Sequence, residues 1–248
     1  DIRYNVLRAV GYYKGKPVAE DLIVFKGLEQ APNFELHYQD DKKILKGEAG
    51  YNYLYRLNCG GDDYTDSFGQ LWLQDNTNYS HSWAENFKDL NSYLASQRTT
   101  NDPIRGTRDW KLFQHFRFGR HQLEYRFPVA DGTYRIELYF TEPWHGTGGS
   151  ASTDCEGLRI FDVAVNDSVV LDDLDIWAES GHDGVCKKVV YATVTGGMLR
   201  IHFPEVKAGQ ALISGIAIAS TNEELKPTVF PASDWSWEKA DKEVMEKT

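Results

Sequence analysis

The chain has 248 residues, 41% of them hydrophobic and 26% charged, a balance that supports a packed core and excludes a wholly disordered polymer. Its formal net charge of -10, without a basic stripe, excludes a phosphate-backbone ligand, so no nucleic-acid partner is expected. No apolar run reaches the length that crosses a bilayer, and no membrane partner is expected either.

Taken in order, residues 5–13 and 18–25 read as strands joined by Lys14, Gly15, Lys16 and Pro17, which predicts a β-hairpin. Two strands alone bury too little surface to be stable. A further strand is expected at 34–38, and the charged, glycine-punctuated stretch 40–50 reads as a linker. From Tyr51 a strand runs through Asn58 into the break Cys59-Gly60-Gly61, followed by an acidic loop and a strand over 68–73. Asp62, Asp63 and Asp66 leave two readings open, a solvated acidic turn or a structural Ca²⁺ site, although their spacing does not match the helix-loop-helix calcium motif. No other cofactor is expected. Residues 76–105 are polar throughout and predict a long excursion with one short helix near 84–94.

Regular strands are predicted at 111–117, 122–127, 132–141, 187–195, 198–203 and 212–219. Within 132–141, Tyr134, Ile136, Leu138 and Phe140 alternate with Arg135, Glu137 and Tyr139, which predicts one buried face and one polar face. The clearest pattern lies in 157–177, where Phe161, Val163 and Val165 alternate with Asp162 and Ala164, and Asn166-Asp167 supplies a two-residue turn before the next strand. A period of two nearly everywhere, with Asp-Gly and Gly-Gly turns, predicts an all-β fold, a two-sheet antiparallel β-sandwich of jelly-roll type. In 223–248, Ser233 is placed to cap a short helix, and the tail with Trp235 and Trp237 is expected to anchor on the sandwich or on a next domain. The first residues lack a signal-peptide layout, and both ends fall inside patterned stretches, which reads as a segment of a longer protein.

Chemistry-bearing motifs are weak. Gly148-Gly149-Ser150-Ala151-Ser152 lacks the final glycine of a nucleophile elbow and is not followed by the Gly-Lys-Ser/Thr of a phosphate loop. His145, Cys155, His182 and Cys186 lack the tight repeated spacing of a closed zinc site. The three cysteines, Cys59, Cys155 and Cys186, allow at most one internal bridge, and sequence does not choose it. Glycoside hydrolysis needs two carboxylates about 5–9 Å apart. Glu142, beside Trp144 at a strand end, is the best single candidate, and an ordinary strand-end carboxylate is the preferred reading.

Two stretches are worded like known families. Arg56, Asn58, Gly60, Gly61, Asp66, Gly69, Trp72 and Asp75, then Phe116-Arg117-Phe118, then Arg159, Phe161, Asp162, Val163, Val170, Leu171, Asp175 and Ile176, resemble the fixed positions of malectin-like carbohydrate-binding modules. This resemblance covers residues 51–222. Residues 1–39, through VLRAVGYYKGKPVAEDLIVFKG, resemble the closing strands of the immunoglobulin-like domain in family 2 glycoside hydrolases of the β-galactosidase type. Together they imply a non-catalytic carbohydrate-binding module in the accessory C-terminal region of a polysaccharide- or glycan-degrading β-glycosidase. They imply an oligosaccharide or polysaccharide as ligand, preceding catalytic domains of the parent chain as partner, and a periplasmic or extracellular place. A structural spacer that binds no sugar is the alternative.

By position in the motif, the resemblance implies a site at one end of the sandwich containing Tyr64, Trp72, Phe116, Arg117, Phe118, Glu142, Trp144 and Gln210. Phe118 brings no hydroxyl, and Gln210 stands near where malectin carries an aspartate. For Phe116 and Phe118 core packing remains the competing reading. Tyr64→Ala and Trp144→Ala are each expected to weaken glycan binding while leaving the melting temperature nearly unchanged.

Overall fold

The computed structural model describes residues 6–24, 41–75, 80–81, 97–100, 102, 104–120, 123–146 and 154–228. The predicted strand at 34–38, the helix near 84–94, the loop around Ser150 and the tail with Ser233, Trp235 and Trp237 lie outside the described residues. β1 (Val6–Tyr13) and β2 (Lys16–Val24) pair antiparallel as a sheet of their own. Lys14 and Gly15 make the turn at φ 50° and 76°, the left-handed pair that a two-residue hairpin requires.

The sandwich begins with β3 (Asn52–Asn58), β4 (Tyr64–Thr65), β5 (Leu71–Gln74), β6 (Ser80–His81) and β7 (Gln97–Thr99). After the short helix α1 (Trp110–Phe113) come β8 (His115–Gly119), β9 (Glu124–Pro128) and β10 (Gly132–Thr141). β11 (Ile160–Val165) and β12 (Ser168–Leu174) form the hairpin expected around Asn166, which takes φ 51° at the turn. The short helix α2 (Ile176–Ser180) leads to β13 (Val185–Val194), β14 (Met198–His202), β15 (Val206–Ala208), β16 (Ala211–Ile213) and β17 (Gly215–Ser220).

One sheet runs β13-β10-β17-β3-β5-β4, a second runs β12-β11-β14-β9-β6 with β15 added on β11, and β16-β8-β7 form a third, smaller sheet. The ladders are antiparallel except β3 with β5, where Leu57 faces Leu73 in a parallel pair. The all-β sandwich is therefore as predicted. Its core lies between the two large sheets: Tyr134, Ile136, Leu138 and Phe140 of β10 and Ile216 and Ile218 of β17 meet Phe161, Val163 and Val165 of β11, Leu199 and Ile201 of β14 and Tyr125 and Phe127 of β9. Period-two alternation places each set on one face, and burial of these side chains is the main stabilising term.

Four of the strand expectations are corrected. The start of the strand predicted at 111–117 is α1, because Leu112 and Phe113, adjacent in sequence, are both buried, which a half-buried strand does not allow. The strand predicted over 68–73 starts at Leu71, after a turn at Phe68 and Gly69. The strand predicted over 212–219 breaks at Ser214, whose N–H donates to the Tyr139 C=O and whose own C=O accepts from Cys59 N–H, and so passes from the small sheet to the large one. Finally, the polar face of β10 is also buried, since Leu45, Ile104, Leu112 and Phe113 cover Tyr139 and Trp72 in a second apolar layer. Glu137 survives there by accepting from Tyr53 Oη, Arg135 Nε, Tyr139 Oη and Lys187 Nζ.

Residues 41–50, expected as a linker, belong to this second layer. Leu45 is 1% exposed, Lys42 N–H donates to the Gly106 C=O, and Lys187 Nζ donates to the Ile44 C=O. At the other end, Asn52 Nδ2 donates to the Leu225 C=O and the Thr228 N–H donates to Tyr55 Oη. Cys59, Cys155 and Cys186 are buried and form no disulfide. A chain beginning at Asp41 is expected to unfold cooperatively at a temperature close to that of the whole. One beginning at Gly47, without Leu45, is expected to be about 1.5–3 kcal/mol less stable; equal stability in urea would show that Leu45 does not seal the layer.

Candidate functional site

A cavity of about 760 Å³ opens beside the small sheet, within the roughly 300–1,000 Å³ typical of small-ligand sites. Its apolar wall is Phe116 and Phe118 of β8 with Leu212 of β16, and Arg98 of β7 stacks its guanidinium 5.5 Å from the Phe118 ring centre. A second wall is the turn after β10, with Pro143, Trp144 and His145, and Arg159 and Gln210 line the cavity as well. Trp144 is 72% exposed, an indole laid open at the cavity rim rather than in the core.

A buried ion pair fixes that second wall. Glu142 accepts from Arg159 through both guanidinium Nε and Nη2, and its Oε1 also accepts the backbone N–H groups of Trp144 at 2.9 Å and His145 at 3.0 Å. Arg159 Nη1 donates onward to the Gln210 C=O at 2.6 Å. One carboxylate thus ties together the 142–146 turn, the start of β11 and the turn before β16. Burial alone raises the Glu142 carboxyl, but the Arg159 hydrogen bonds and charge, with the two N–H donors, outweigh it and hold it below the usual carboxylate range.

Of the residues expected at the site, Phe116, Phe118, Trp144 and Gln210 line the cavity together, although Phe116, 8% exposed, also belongs to the main core and Phe118 packs against it, so the core-packing reading holds for much of both rings. Glu142 does not line it; it is fully buried and acts on the wall from behind. Arg117 is 0% exposed on the opposite face of β8, where its Nε donates to Asp75 Oδ2 at 2.5 Å and its Nη2 to Gln97 Oε1. Trp72 is 0% exposed in the second apolar layer, with its indole N–H on Asp66 Oδ2 at 2.9 Å. Tyr64 packs against the same layer and donates its hydroxyl to Asp109 Oδ1, so burial and the Asp109 charge raise its phenol. None of these three reaches the cavity. Arg98, Asp102, Arg120, His145 and Arg159, which do line it, were not anticipated as site residues. For Arg120 a signal existed, since it continues the Phe116, Phe118 face at period two.

The acidic loop is committed to its own geometry. Asp66 accepts the N–H groups of Phe68 and Gln70 as well as that of Trp72, Asp63 accepts Gln74 N–H, and Asp62 accepts Gln74 Nε2. Gly60 sits at φ 76°, and a β-carbon there would lie 2.7 Å from the Phe116 carbonyl oxygen. Only glycine allows this loop to lie directly against β8. His145, Cys155, His182 and Cys186 do not form a shared metal-ligating group among the described residues; the group whose atoms do lie close is Asp162, Asp172 and Asp173, none of which lines the cavity.

Compared by sequence profile, residues 53–222 match the malectin domain. The chain belongs to the malectin family. Malectin of Danio rerio is 24% identical over 166 residues, which span 64% of this chain and 52% of that one. Among solved structures, a Bacteroides uniformis β-glucuronidase superposes with a TM-score of 0.54 at 23% identity, over 90% of this chain and 22% of that enzyme. The extracellular domain of ANXUR1 from Arabidopsis thaliana superposes with a TM-score of 0.53 at 16% identity, over 68% of this chain and 48% of its own. The chain thus spans about half the length of the curated relative it matches and about a fifth of the enzyme. At these identities the structural likeness shows the fold. The malectin positions Asn58, Gly60, Asp66, Trp72 and Asp75 mark loop-building residues rather than a ligand-facing surface.

Proposed function

We propose that this malectin domain is a non-catalytic carbohydrate-binding module that holds an oligosaccharide or a polysaccharide end in the Phe116–Trp144 cavity. The observation that carries the reading is the pairing of an exposed indole and two phenylalanine rings with guanidinium, amide and carboxylate groups around one cavity. Sugars present C–H faces that pack on rings and hydroxyls that need donors and acceptors, and this wall offers both. Glu142, the carboxylate behind the Trp144 turn, is locked under Arg159 and two N–H groups and has no freedom to act as acid or nucleophile.

The parent protein we infer is a family 2 β-glycosidase of the β-galactosidase type, acting outside the cytoplasm, with this domain in its accessory region beside preceding catalytic domains. The likeness to the β-glucuronidase supports this, because the matched 90% of the chain exceeds residues 53–222 alone. A glycan array on the purified chain tests the binding. Trp144→Ala is expected to weaken retention about tenfold while leaving stability within ~0.5 kcal/mol. Tyr64→Ala is expected to do the reverse, lowering stability and sparing retention, since Tyr64 lies in the second apolar layer. Retention of no glycan by the wild type would favour a spacer, and hydrolysis of aryl glycosides would sink the non-catalytic reading.

A further inference from the structure

We propose that the cavity selects an anionic sugar, one that carries a ring carboxylate, over a neutral one; this rests on the carbohydrate-binding reading above. The protein is acidic overall, at -10, yet three arginines, Arg98, Arg120 and Arg159, line the cavity and Asp102 is the acid among its described lining residues. Arg159 is matched by the buried Glu142 behind it, and Arg98 lies over the Phe118 ring and donates Nη1 to the Gln97 C=O. The uncompensated charge is Arg120. It is exposed, it stands one residue beyond β8, and no described carboxylate lies within ion-pair distance of its guanidinium.

A cation at an apolar-walled cleft in a chain of opposite net charge concentrates an attractive field where a ligand enters. The guanidinium fork matches a carboxylate through two parallel N–H···O bonds, which a hydroxyl cannot reproduce. Phe118 and Trp144 meanwhile bring apolar ring surface to the same cavity. Asp102 on this wall repels a second negative group placed close to the first, so one carboxylate per ring fits better than a densely sulfated chain.

The experiment is calorimetry on the full chain with three probes: a short oligouronide, the same oligosaccharide with its carboxyls reduced to alcohols, and a sulfated oligosaccharide. The uronide is expected to bind about tenfold tighter than its reduced form at ~0.05 M salt, and the gap is expected to narrow at ~0.5 M. Arg120→Gln is expected to erase the gap while the reduced form still binds. Equal affinity for uronide and reduced form, or tighter binding of the sulfated chain, overturns the inference and leaves carbohydrate binding standing. No binding of any probe overturns both.

Discussion

Glu142→Ala is expected to destabilise the domain by about 3–5 kcal/mol and to abolish glycan retention at the same time. The change strands the Arg159 guanidinium in a buried site and removes the acceptor of the Trp144 and His145 N–H groups. A loss of that size is a large part of the ~5–15 kcal/mol that holds a domain folded. Glu142→Gln, which keeps the volume and one acceptor, is expected to fold with a smaller loss, and so lets binding be read on a folded protein. The pair also sets a pH dependence. The folded carboxyl titrates below its unfolded value of about 4.3. Its contribution is therefore fully present above that value and is lost as pH falls from there through the folded one. Glu137 is also held low, its burial offset by Tyr139, Lys187 and Arg135, and titrates in the same window. The difference in slope between wild type and Glu142→Gln, measured by urea unfolding between pH ~5 and ~2, isolates Glu142; parallel curves would show that the ion pair contributes nothing.

Much of the fold was legible because period two survives wherever a strand has one wet face. The bounds of β10 and the hairpin at Asn166 follow from it directly. It failed at β10's second face, where Glu137 and Tyr139 look solvent-bound but are roofed by residues distant in sequence, Leu45 and Ile104. The site was half legible. Phe116, Arg117 and Phe118 were grouped as neighbours in a motif, yet successive strand residues point to opposite faces, so Arg117 was bound to part company with the two phenylalanines. Arg98 reaches the cavity only because it pairs with Phe116 across strands, a register that sequence spacing does not encode.

Asp75→Ala is expected to be as damaging as any substitution in the chain, about 3–5 kcal/mol. Asp75 Oδ2 accepts from Gly60 N–H at 2.8 Å, Arg117 Nε at 2.5 Å and Tyr125 Oη at 3.2 Å, all of them buried. Removing it leaves a guanidinium in the interior without its counter-charge and frees the loop that lies against Phe116. Retention of glycan should fall with it, because the back of β8 carries the cavity's phenylalanines on its front. Asp75→Leu combined with Arg117→Met, which removes both charges and keeps the volume, is expected to recover much of the stability. A melting temperature unchanged in Asp75→Ala, or no recovery in the double variant, would show that the core does not turn on this pair.

Two of the buried thiols, Cys59 and Cys186, give the domain a chemical indifference. Burial, with the Asp75 charge beside it, pushes the Cys59 thiol far up, and burial pushes that of Cys186 up to about 11, so neither supplies thiolate for alkylation or exchange near neutrality. With no covalent link among the three, the fold has nothing for a reductant to cut and little for an oxidant to attack. The same sandwich is therefore expected to keep its shape under glutathione and in air alike, which equal melting temperatures with and without reductant would check.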